Sequence, residues 1–186
     1  PTDVSLVVSH PGATYGGLVH HGHLAGGRML EALQAITDFL RGQGCAAFQY
    51  KALPHTYTGT PAQDDLYALF RLGATRIRCD LSSTISLADR RPRPERRRRA
   101  LKKAMNQVTV EWDVLAWPQV WRLIADNLAR KHGATPVHSA EELCLLHQQF
   151  PQHIRVASAR CGDTPVAAVV LFNSRHVWHA QYIASS

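Results

Sequence analysis

Eleven histidines are distributed over 186 residues, and imidazole is the side chain best suited to moving protons near neutral pH. The stretch HHGH (20–23) sets His21 and His23 on one face of an extended segment and His20 on the other. Two imidazoles do not make a zinc site, which takes three or four ligands of suitable type. No cysteine or acid lies close in sequence, so no metal is assigned. The loop SHPGATYGG (9–17) places His10 and Tyr15 among glycines, Gly16 included, which let a backbone approach a ligand closely. KHGATPVHS (131–139) carries His132 in the last turn of a helical stretch and His138 on a loop constrained by Pro136. HAQYIASS (179–186) alternates His179 and Gln181 with Ala180 and Tyr182, as a strand would.

Charge supplies a second kind of chemistry. Residues 90–103 hold nine arginines and lysines against Glu95 alone, which outweighs the whole chain's net charge of +7. A helix is predicted from Glu95 to Asn106. On it Arg96, Arg99 and Lys103 share a face, and Arg98 and Lys102 form an adjacent stripe. Guanidinium groups suit bidentate phosphate contact. The helix is therefore either an anion site, for a small ligand's phosphates or an RNA's, or a solvated charged linker. No aromatic side chain interleaves with the arginines, so stacking on single-stranded bases has no support. Tyr67 and Arg71, spaced i, i+4 in DLYALFRLGA, could face a cleft together. Ser82 and Ser83 have no His–Asp order nearby that would argue for a nucleophile.

Positioning these groups requires a folded scaffold, and the composition supports one. Hydrophobic residues make up 45% and charged residues 19%, a globular balance. The longest apolar run, Val166–Phe172, is far short of the ~20 residues a membrane span needs. Strands are expected at 5–9 and 46–53. Helices are expected from Gly27 to about Phe39 and over 61–72, and a half-exposed strand or strand pair within 75–87. After Pro92 and Pro94 come the basic helix, a strand at 108–112 and a helix from Trp117 to His132. A helix at 140–149 opens on the capping-box pair Ser139 and Glu142. Three strands follow, IRVASAR, TPVAAVVLF and HVWHAQYIA, joined by short polar turns. This order implies α/β with a mixed, mainly hairpin-connected sheet. The four cysteines lie far apart, as free apolar side chains would, and imply a reduced, cytoplasmic setting. A start at Pro1 and an end within a strand-like pattern lead to the expectation of a fragment.

Taken together, SHPGATYGG, DDLYALFRLGA, DLSSTI, RRRRALKKA, NLARKHGATPVHS and HAQYIASS resemble the Fem-type acyltransferases of the Gcn5-related N-acetyltransferase (GNAT) superfamily. The resemblance covers nearly the whole chain. It implies parts of two tandem GNAT-like domains: 1–87 the second half of one, 88–107 a basic linker helix, and 108–186 the first half of the next. The implied reaction is direct attack of a substrate amine, of an amino sugar, amino acid or peptide, on acyl-CoA. Acetyl-CoA would be the co-substrate, no metal would be needed, and the setting would be bacterial-type cell-envelope or polysaccharide metabolism. One alternative draws the acyl group from an aminoacyl-tRNA held by helix 95–106; another is a non-catalytic module for an anionic polymer. By the same resemblance, His138 or His179 takes the amine proton. Gln181 and Tyr182 line a strand whose backbone N–H polarises the thioester carbonyl. His10, Tyr15, Gly16, Tyr67, Arg71 and His132 would contact substrate. Gly22, Gly26 and Gly27, with Arg99 and Lys103, would hold the donor.

Overall fold

A computed structural model describes residues 5–113 and 117–186. The chain divides into two units, Pro1–Asp80 and Leu81–Ser186.

In the first unit, strand β1 (Leu6–Val8) pairs in parallel with β2 (Ala47–Gln49), Val7 opposite Phe48. A parallel pair needs a crossover, supplied by helix α1 (Gly27–Gly42). Helix α2 (Asp64–Arg71) follows a 3₁₀ turn at His55–Tyr57. Met29, Leu33 and Ala68 are buried where α1 meets α2, with Leu18, Leu30, Tyr50 and Leu69 packed around them. The spacing of Met29, Leu30 and Leu33 makes that stripe on α1. Helix α2 opens at Asp64, three positions later than Pro61 suggested, and its first turn carries Asp64 and Asp65 against the positive end of the dipole.

The expected strand within 75–87 does not form. Ile77, Leu81, Ile85 and Leu87 all stand exposed. Alternation makes a two-faced ribbon, but a strand exists only with a hydrogen-bonded neighbour. Among the described residues β1 and β2 pair only with each other.

The second unit begins with an exposed segment and helix α3 (Glu95–Met105), none of whose residues is buried. Then come β3 (Thr109–Trp112), α4 (Trp117–His132), α5 (Ala140–Gln149), β4 (Ile154–Cys161), β5 (Thr164–Asn173) and β6 (Trp178–Ser185). The sheet order is β3-β4-β5-β6, antiparallel throughout. Its core joins Val120 and Ile124 of α4, Leu143 of α5, and Val156, Ala168, Val170, Tyr182 and Ala184 of the strands. Pro118 in the first turn of α4 has the φ a helix start requires.

Two polar clamps fix this unit. Asp113, at φ +52°, donates its N–H to the Val156 carbonyl at 2.7 Å, and its carboxylate holds Arg155 Nε at 2.6 Å. The buried Asn127 of α4 donates from Nδ2 to the Ser185 carbonyl at 2.6 Å, tying the helix to the end of β6.

Candidate active site

The ladder between β5 and β6 slips once. Val170 faces Tyr182, but Leu171 faces Ala180, so the register shifts by one residue at Gln181. This is a β-bulge, a device that re-aims side chains. In a regular strand, residues three apart point to opposite faces. Here His179 lies opposite Phe172, and Tyr182 lies opposite Val170. Val170 and Phe172 both belong to the core beneath α4 and α5, and directly opposed residues share a face. The bulge therefore places His179 and Tyr182 together on the helix-covered face.

His138 reaches that face from the α4–α5 loop. The Ser139 hydroxyl accepts from the Glu142 N–H at 3.1 Å, and the Ser139 N–H donates to Glu142 Oε2 at 2.6 Å. This capping box sets the angle at which the chain enters α5, and with it the position of the preceding residue. His138 Nδ1 lies 2.8 Å from the Tyr182 hydroxyl, and its ring meets the rings of Tyr182 and Phe172 edge-on at 5.9 and 6.2 Å. Trp121 of α4 packs edge-on against Tyr182 at 5.3 Å. With Nδ1 engaged by the phenol, Nε2 is the ring atom left to exchange a proton.

His179 is half-buried. Burial pulls its pKa below the ordinary 6.5, and a hydrogen bond with the Gln181 side chain opposes that shift. Folding therefore favours the neutral ring. Its contribution to stability is complete above 6.5 and is lost as pH falls through the lower folded value. In an NMR titration His179 is expected to protonate below the ordinary 6.5; a midpoint at or above 6.5 would contradict this burial.

Of the other residues the sequence singled out in this unit, His132 ends α4 and is exposed. Arg99 is paired with Glu95 at 3.0 Å on the exposed α3, and Lys103 is exposed on the same helix.

The remaining candidates lie in the first unit. The loop 9–17 closes onto its own strands: the Ser9 N–H donates to the Gln49 carbonyl, the Lys51 N–H to Ser9 Oγ, and the Gly16 N–H to the Lys51 carbonyl at 2.9 Å. A Cβ at Gly16 would lie 2.4 Å from the Ser9 carbonyl oxygen, so loop closure itself demands glycine. His10 is exposed at φ +48°, and Tyr15 packs on Tyr57 with ring centroids 4.7 Å apart. Gly26 caps α1 and donates its N–H to Asp64 Oδ1 at 2.8 Å, while the Gly22 N–H donates to His20 Nδ1 at 3.1 Å. Gly27 is exposed at the first position of α1. Arg71 Nη1 donates to the Tyr67 hydroxyl at 2.7 Å, and both side chains remain exposed.

Tyr50, Asp65, Trp121 and Phe172 escaped the sequence reading as site-shaping residues. The Tyr50 hydroxyl accepts from the Leu18 N–H at 2.9 Å and donates to Asp65 Oδ2 at 3.0 Å. Burial first, and Asp65 after it, push the phenol up to about 12. Nothing local in the sequence announces that link; Tyr50 and α2 both pack on the core of Met29, Leu33 and Ala68, which brings Tyr50 and Asp65 together. Trp121 and Phe172 are legible as core residues, and their contact with the site follows from the fold.

Among the described residues no group of three or more His, Cys, Asp or Glu side chains could hold a metal, and no helix is long and apolar enough to cross a membrane. No curated protein matches the chain. A sequence model of the acetyltransferase (GNAT) domain matches residues 88–186, which takes in the basic helix, both core helices, the four-stranded sheet and the bulged strand. The match spans more than half of the sequence, and the chain belongs to the acetyltransferase (GNAT) domain family.

Proposed function

We propose that this chain transfers an acetyl group from acetyl-CoA to a substrate amine at the bulged end of β6, in the manner of the Fem-type branch. The observation that carries this reading is the bulge at Gln181, which gathers His179 and Tyr182 on the face that also receives His138. GNAT domains use acetyl-CoA, and β6 is the last strand of the sheet. Its edge away from β5 pairs with no other strand among the described residues, which suits that edge to meet an acyl group.

The chemistry follows from these positions. The amine lone pair attacks the thioester carbonyl carbon, the C–N bond forms, and the C–S bond breaks with its electron pair leaving on sulfur. A backbone N–H of β6, the strand that Gln181 and Tyr182 line, meets the negative charge that develops on the carbonyl oxygen. His138 Nε2 takes the amine proton, directly or through water, while the Tyr182 hydroxyl holds Nδ1. His179, kept neutral by burial, is the second base on this face. His132, at the end of α4, contacts the acceptor.

Thiol release from acetyl-CoA tests this directly. The protein is expected to release CoA thiol faster when amino sugars, amino acids or short peptides with free amines are added, and to yield the N-acetylated amine. Release that no amine in such a panel accelerates would count against it.

A further inference from the structure

Every residue from Leu81 to Gln107 is exposed. The stretch holds nine arginines and lysines against Asp89 and Glu95, which accounts for the entire formal charge of +7 and leaves the rest of the chain neutral. It also holds large apolar side chains that stand exposed among the described residues: Leu81, Ile85, Leu87, Leu101 and Met105, with Leu81 fully exposed. On α3 the two kinds separate in part, with Arg97 set among the apolar positions and Arg98 beside Met105. At 100° per residue, Ala100, Leu101, Ala104 and Met105 fall on one side, and Arg96, Arg99, Lys102 and Lys103 on the other. Arg97 lies along the apolar side, where with Arg93 it edges a shallow groove over Ala100, Leu101 and Ala104. Its aliphatic stem can lie flat there while the guanidinium turns outward.

From this we infer that residues 81–107 are a membrane-surface anchor that lies on anionic phospholipid headgroups, with Leu101 and Met105 dipping toward the acyl chains. Charge complementarity names the sign of the partner. The exposed apolar side distinguishes a lipid surface from a nucleic acid, because a sugar-phosphate backbone gives leucine and methionine nothing to bury against. The stretch also has no aromatic side chain on which a base could stack. Interfacial helices combine a basic face with an apolar one, and binding scales with buried apolar area plus attraction to anionic lipid. This inference does not depend on acetyl transfer and stands or falls separately from it.

Co-sedimentation of the whole protein with vesicles tests it. Pelleting is expected with mixed phosphatidylcholine and phosphatidylglycerol vesicles and not with phosphatidylcholine alone, and it should fall as salt shortens the reach of the charges. The double substitution Leu101→Ser with Met105→Ser changes exposed positions and no charge; it should weaken partitioning by about 10-fold or more. Replacing Arg96, Arg97, Arg98 and Arg99 by Gln should weaken it by about 100-fold or more. Failure to pellet on the anionic vesicles overturns the inference. So does equal pelleting of the wild type and the Leu101→Ser/Met105→Ser variant, which would reduce the segment to charge alone. Binding of a homopolymeric RNA by both proteins, without pelleting on vesicles, would assign the segment to nucleic acid instead.

Discussion

His138→Ala is expected to lower kcat for acetyl transfer by about 10²–10⁴-fold, the range general-base catalysis supplies. KM for acetyl-CoA should change little, because the imidazole acts on the amine. His138 sits on a loop and is only half-buried, so the fold should survive, as circular dichroism can verify. Tyr182→Phe keeps the ring against Trp121 and deletes only the hydroxyl that meets His138 Nδ1 at 2.8 Å. A hydrogen bond of this kind is worth about 1 kcal/mol, so kcat should fall by about fivefold. Unchanged kcat/KM across pH for His138→Ala and His179→Ala alike would remove both histidines from the reaction.

Leu143→Ala is expected to destabilise the protein by about 2–5 kcal/mol, the cost of a cavity in a close-packed core. Leu143 is fully buried between α5 and the sheet. In a domain of this size each kcal/mol moves Tm by roughly 4–8 °C, so scanning calorimetry should record a fall of about 10 °C or more. The site should suffer with it, because α5 carries the capping box that directs His138 onto Tyr182. A loss below about 1 kcal/mol would contradict the packing described for α5.

Local chemistry made much of the second unit legible. Pro118 and the stripe Val120, Trp121, Ile124 and Leu128 announced α4, and its bounds match Trp117–His132. Ser139 and Glu142 announced α5, and the capping box is present. The closing strands were visible as apolar runs between polar turns.

Legibility ended where a structure depends on a distant partner. His138 and Tyr182 were each singled out, but they lie 44 positions apart, and only the sheet with α5 docked on it brings them together. Simple alternation put Tyr182 on the face opposite His179. The bulge at Gln181 reverses that, and no residue in HAQYIASS marks it. The converse error arose at 75–87, where alternation was present and a partner was not. In SHPGATYGG the glycines suggested an open cradle for a ligand, and at Gly16 the space is filled by the Ser9 carbonyl.

The central claim is that acetyl-CoA meets this protein at the bulge of β6. The most direct test follows the backbone amide signals of isotopically labelled protein while acetyl-CoA is added. The account predicts saturable shifts at Ala180, Gln181 and Tyr182, with the His138 ring signals moving alongside them. Saturable binding that leaves these amides and His138 unmoved, or no binding at all, would contradict it.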